Sequence, residues 1–149
     1  MPLKFNYFAD SNCLFVIGTG RVSLQEFLEY HGSAKIPNPQ PNLLILADYR
    51  GIDPSDLTAS DIEQIRDSAL SKVEGKFETV KEATVVADTL AYGLTRMFDG
   101  VVYSEKYELN IFTDLDEAKR WLGLAPETSL DKDRGMSPSV EIPYSRVSP

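Results

Sequence analysis

Leu43-Leu44-Ile45-Leu46-Ala47 ends at Asp48 and is followed by Tyr49-Arg50-Gly51-Ile52-Asp53-Pro54-Ser55-Asp56-Leu57, an apolar run that breaks off into an acidic segment. Five consecutive apolar residues bounded by a charge predict a strand buried on both faces, as in a parallel sheet covered by helices. The acidic segment after Asp48 predicts a switch-like loop. Thr58-Ala59-Ser60-Asp61 then supplies a capping pattern, and Ile62, Ile65, Ala69 and Val73 recur at helical spacing, so a helix follows. Leu57 and Ile62 are placed to staple its first turn.

Working outward, Phe5 and Tyr7 alternate with Lys4 and Asn6, and Asp10-Ser11-Asn12 supplies turn chemistry before Cys13-Leu14-Phe15-Val16-Ile17, which predicts a hairpin. Gly18-Thr19-Gly20 reads as a loop after that strand. It lacks both the third glycine of a dinucleotide fingerprint, where Ser23 stands, and the lysine of a phosphate loop. Ser23 and Glu26 form a capping box, with Val22 stapling onto Phe27. Pro37, Pro39 and Pro41 predict an exposed extended linker.

Beyond the central helix, Gly75 to Glu82 reads as a connector, and Ala83-Thr84-Val85-Val86-Ala87 as a buried strand ended by Asp88. Leu90, Leu94, Met97, Phe98 and Val101 then share a helical face. Tyr107 to Ile111 alternates as a last strand. Thr113-Asp114-Leu115-Asp116 caps a final helix carrying Leu115, Ala118 and Leu122, closed by Gly123. Strands alternating with helices imply parallel pairing. The expected architecture is α/β, β-β-α-β-α-β-α-β-α, a mostly parallel sheet with one antiparallel strand from the N-terminal hairpin. One domain is expected over residues 1–124. The proline- and serine-rich remainder, 125–149, is expected to be a flexible or loosely docked tail, with Val140, Ile142 and Tyr144 as candidate anchors.

Composition narrows function by exclusion. Fifteen basic against 23 acidic residues give a formal charge of −8, unsuited to a phosphate backbone, so no nucleic-acid partner is expected. Cys13 lies alone in an apolar run and reads as a buried thiol, while His31, the lone histidine, reads as a surface residue without a zinc partner. No run approaches membrane-spanning length and no signal-peptide pattern opens the chain, so a cytoplasmic protein is expected.

Three blocks carry a resemblance: Gly20-Arg21-Val22-Ser23, then Ala87-Asp88-Thr89-Leu90-Ala91-Tyr92-Gly93-Leu94-Thr95-Arg96-Met97-Phe98, and Ile111 through Leu122. Over about residues 13 to 123 the chain resembles the SpoIIAA-like fold that includes STAS domains and is related to SEC14-type lipid-binding domains. The resemblance implies a non-catalytic regulatory or protein-interaction module in bacterial signalling. The alternative it implies is a SEC14-like carrier or sensor of a small apolar ligand. The Asp-Ser-Ser-Gly-like phosphorylation motif of some STAS proteins is missing where Thr58-Ala59-Ser60-Asp61 stands. Ser55, Thr58 and Ser60 remain the candidate phosphorylated hydroxyls, open to phosphosite mapping.

For ligand or partner binding the candidates are Asp48, Asp53 and Asp88 at the carboxyl edge of the strands, and Tyr92, Gly93 and Arg96 on the third helix. Gly93 carries a helix penalty of about 1 kcal/mol, which suggests a close approach to the backbone. Phe27, Met97, Phe98 and Trp121 are candidate cavity liners. No catalytic constellation, metal site or cofactor is expected. A cavity between sheet and helices would favour the carrier, and a solid core the module.

Overall fold

The computed structural model describes residues 2–37, 40–101 and 106–125. Five strands and four helices follow one another as β1 (Leu3–Phe8), β2 (Cys13–Arg21), α1 (Leu24–Ser33), β3 (Asn42–Asp53), α2 (Ala59–Val73), β4 (Thr79–Val85), α3 (Thr89–Val101), β5 (Tyr107–Phe112) and α4 (Leu115–Leu122). This is the expected α/β element order. The tail beyond Ala125, with Val140, Ile142 and Tyr144, lies outside the described residues, as does Pro39 of the linker.

The strands form one sheet in the order β1-β2-β3-β4-β5, with β1 antiparallel to β2 and every other pair parallel. Because each new parallel strand is added on the same side, crossovers of one hand return every connecting helix to the same face. Phe27 and Tyr30 of α1, Ile62 and Ile65 of α2, and Leu94 and Phe98 of α3 accordingly share one apolar cluster with Leu14, Val16, Leu43, Ile45, Val80 and Tyr107 of the sheet. Helix α4 follows the last strand and takes the opposite face. There Ala118, Leu122 and the following Leu124 pack with Cys13, Phe15, Leu46, Ala83 and Val85.

The caps are where the sequence puts them. Thr58 Oγ1 accepts from the Asp61 N–H at 3.1 Å while the Asp61 carboxylate accepts from the Thr58 N–H at 3.0 Å, and Glu26 accepts from the Ser23 N–H at 2.8 Å. Gly123 closes α4 with φ 81°, a conformation that costs glycine no Cβ clash. Burial pushes the Cys13 thiol up to about 12, so it stays protonated.

Three boundaries differ from the sequence reading. Asp48 does not end β3, and Gly18-Thr19-Gly20 is not a loop. Both strands run on past a register shift between Ile17 and Thr19, pairing Thr19 with Gly51, Gly20 with Ile52 and Arg21 with Asp53. Pairing of β3 with β4 stops at Asp48, so residues 49–53 continue as a ribbon bonded only to β2, exposed enough to carry Arg50 and Asp53. Strand β4 begins at Thr79 rather than Ala83, placing Glu82 inside the sheet.

The glycines in these elements yield a paired prediction. A Cβ on Gly18 would meet Ile52 Cγ2 at 2.5 Å, with Leu3 and Tyr49 atoms at 3.1 and 3.2 Å, whereas a Cβ on Gly93 would meet nothing within 4 Å. No close backbone approach therefore explains Gly93. In chemical denaturation Gly18→Ala should cost about 1–3 kcal/mol by overpacking. Gly93→Ala should stabilise by up to about 1 kcal/mol, since it removes a helix penalty in open space. Equal effects in the two variants would contradict this packing.

Candidate functional site

The sheet face under α1, α2 and α3 is not filled. A cavity of about 580 Å3 lies between them, within the size range of small-molecule sites. Its floor comes from alternate residues of three neighbouring strands, Leu43 and Ile45 of β3, Glu82 and Thr84 of β4, and Tyr107 and Leu109 of the edge strand β5. Phe27, Tyr30 and His31 of α1, Ile62, Ile65 and Ala69 of α2, and Ala91, Leu94 and Phe98 of α3 form its roof.

One group stands out in this apolar chamber. Glu82, 9% exposed, is held by two hydroxyls: Tyr107 Oη donates to Oε1, and Thr84 Oγ1 donates to Oε2 at 3.0 Å. Parallel register makes this meeting possible, since Tyr107 pairs with Val80, two residues before Glu82 on the same face. Burial, with the Glu82 charge behind it, holds the Tyr107 and Tyr49 phenols well above their ordinary range, so both remain hydrogen-bond donors. Tyr30 is raised likewise, by burial first, then by Tyr49 and Glu82. Three neutral phenols thus line the same cavity as the carboxyl group, and Tyr107 bonds to it directly. The Tyr49 ring meets Phe27 edge-on at 5.8 Å.

The chamber lining also carries basic groups. His31, expected at the surface, is half-buried between α1 and α2, where its Nδ1 shares a hydrogen bond of 2.8 Å with Ser68 Oγ and its ring lies 4.9 Å from that of Tyr30. The sequence misleads because His31 lies in the last turn of α1, a position that is solvent-facing unless a second helix crosses it. Lys72 in the last turn of α2 donates to the Ala34 carbonyl that follows α1, and Lys35 and Lys76 complete the rim.

The residues singled out from the sequence fall elsewhere. Asp48 is buried and committed to Arg50, which donates from Nε at 2.9 Å and from Nη2 at 2.8 Å. Asp53 accepts from the Ser55 N–H at 3.1 Å and hydroxyl at 2.7 Å; these bonds, with Arg21 behind them, hold its carboxyl below the usual range. Asp88 accepts from the Ala91 N–H at 2.9 Å and caps α3. Arg96 reaches the Tyr92 hydroxyl at 3.4 Å, one turn away on the exposed side of α3. No hydrogen bond or ion pair among the described residues joins these three aspartates to one another or to the Tyr92–Arg96 pair, and none of the six lines the cavity. Of the hydroxyls, Ser55 serves Asp53, Thr58 is the cap of α2, and Ser60 is exposed in its first turn.

Among the proposed cavity liners, Phe27 and Phe98 are in place. Trp121 instead packs on the opposite face beside Phe112, with the Lys81 ammonium 4.3 Å from its ring centroid. Met97 and Leu90, expected inward, are 40% and 49% exposed. The inward residues of α3 are Ala91, Leu94 and Phe98, because Leu94 and Phe98 are four apart and Met97 falls to one side.

Among the described residues no three His, Cys, Asp or Glu side chains gather as a metal-binding group, and no helix is long and apolar enough to cross a membrane. No protein-family model, curated protein or solved structure matches the chain.

His31 gives the cavity wall a measurable pH dependence. Burial, and then Lys72, lowers its pKa to about 4, against about 6.5 in an unfolded chain. Between those values the unfolded chain binds a proton that the folded chain refuses, so stability falls as pH drops through that window. The contribution lost approaches about 3 kcal/mol by pH 4. Urea midpoints at pH 7 and pH ~4.5 should therefore converge in His31→Gln relative to the parent. An identical pH slope in both would show that the imidazole is already solvated.

Proposed function

We propose that this protein is a non-catalytic carrier or sensor of a small, largely apolar ligand held between the sheet and helices α1, α2 and α3. The observation that carries the reading is the 580 Å3 chamber itself. A well-packed interior leaves few voids larger than a water molecule, and a space this large lined by Phe27, Ile45, Ile62 and Phe98 has the shape and chemistry of a ligand site. The Glu82–Thr84–Tyr107 cluster provides the few convergent polar groups that fix orientation in such sites. The reading agrees with the SEC14-type side of the resemblance and with a SpoIIAA-like arrangement of the sheet.

A second reading, a STAS-type interaction module, draws on one observation. Leu90, Tyr92 and Met97, each at least 40% exposed, all lie on α3, and Arg96 rests beside them with Cζ 6.0 Å from the Tyr92 ring centroid. If that surface holds a protein partner, Arg96→Ala weakens the association in a pull-down while stability stays within about 0.5 kcal/mol. Loss of stability with unchanged association would return the pair to a structural role.

For the carrier, native mass spectrometry of protein purified gently from its host should show a bound small molecule. Ala69→Leu, which projects two branches of carbon into the chamber, should reduce affinity for an apolar fluorescent probe at least about tenfold, while the melting temperature moves by less than about 4 °C because the added atoms enter free space. Equal probe binding by parent and variant, with no co-purifying molecule, would sink the carrier reading.

A further inference from the structure

The chamber carries a second set of polar groups, which the sequence alone did not mark out. Lys35, Lys72 and Lys76 come from the C-terminal ends of α1 and α2 and line the same opening, in a chain whose formal charge is −8. Three ammonium groups this close repel one another. Burial, and then the charges of Lys76 and Lys35, lowers the pKa of Lys72, which shows that the three share one field.

Helix chemistry accounts for part of this grouping. The Lys72 ammonium answers the Ala34 carbonyl at the C-cap of α1, where a cation is favoured by the helix dipole. Lys35 and Lys76 lie beyond the two helix ends, and among the described residues no carboxylate forms an ion pair with either. The closest acidic residues in sequence, Glu74 and Glu78, line a neighbouring hollow that Lys76 also borders. A like-charged cluster at the mouth of an apolar chamber is stabilised by an anion there.

We propose that Lys35, Lys72 and Lys76 form the head-group subsite of the cavity, and that the ligand is an anionic amphiphile: a carboxylate or phosphate on an apolar body that enters the chamber. The anionic head stays at the rim, within reach of water and of three donors. The apolar body lies along Ile36, Phe77 and Ala69 of the cavity wall.

This rests on the carrier reading, and the experiment separates the two. Dodecanoate, dodecyl phosphate, dodecanol and dodecylamine are titrated against the full chain and against a Lys35→Gln/Lys76→Gln variant, which keeps Lys72 on its carbonyl. At low salt at least one of the two anions should bind about tenfold more tightly than dodecanol, and the advantage should shrink at ~0.5 M salt. The double variant should lose the advantage and keep its dodecanol affinity. Preference for the phosphate over the carboxylate, or the reverse, identifies the head group within the class. Equal affinity for alcohol and anions, tighter binding of the amine, or an anion preference that survives in the variant overturns the head-group subsite while leaving a carrier. Failure of all four probes to bind overturns the carrier reading and the subsite with it.

Discussion

A carboxyl group in the middle of an inner strand is the constraint on which the rest of this structure turns. Glu82 has β3 on one side and β5 on the other, and three helices above it. Burying an ionised group without partners costs several kcal/mol, so a chain that places glutamate here must bring hydroxyls to it. Thr84 comes from the same face of the same strand, two residues on. Tyr107 comes from β5 by register, and a one-residue slip of that strand would send its phenol to the α4 face. The register of the edge strand and the placement of the carboxyl group are therefore one requirement. Tyr30, Tyr49 and Tyr107 all line the same cavity, and burial, with Glu82 among the charges, raises their phenols.

The order of the strands explains why the space lies where it does. An α/β sheet whose strand order reverses opens a crevice at the carboxyl edge, and ligands gather there. This sheet never reverses, since β1 to β5 lie side by side in chain order. It has no switch point at which loops diverge, and the aspartates near that edge are consumed locally, Asp48 by Arg50, Asp53 by Ser55 and Asp88 by the start of α3. Putting three helices on one face leaves room between them and the sheet, while α4 alone covers the other. The cavity accordingly lies beneath the helix layer and not at the strand ends.

Much of the fold was legible because its signals are local. Capping boxes at Ser23 and Thr58, the buried runs at Leu14 and Leu43, and Gly123 after the last helix each declare an element within a few residues. The cavity was legible only in part, through Phe27 and Phe98 as candidate liners, because most of its lining comes from strands and helices far apart in the chain and any one residue has an ordinary reading. Glu82 looked like the end of a connector, since a charged residue beside Lys81 argues against a buried strand. Period-two alternation of Val80, Glu82 and Thr84 was the available signal, and a strand begun at Thr79 would have exposed it. The lysine rim left no trace at all: Lys35 and Lys72 are 37 positions apart in number and meet only when α1 and α2 pack.

Helix α3 ties the two surfaces together. Its inner residues Ala91, Leu94 and Phe98 roof the chamber, while Leu90, Tyr92 and Met97 face solvent on the same thirteen-residue element. Contacts made to the inner side by a ligand are contacts the empty protein lacks, so the ligand favours whichever position of α3 closes on it. The outer residues belong to the same helix, so a change in its position would carry both surfaces with it. Gly93, with no neighbour within 4 Å of where its Cβ would be, leaves that outer side without a side chain to wedge against anything above it. Carriage beneath α3 and recognition above it are thus compatible roles for one helix. The condition for linking them is physical: the ligand must bind one position of α3 more tightly than another, since equal affinity for both shifts no population however tight the binding.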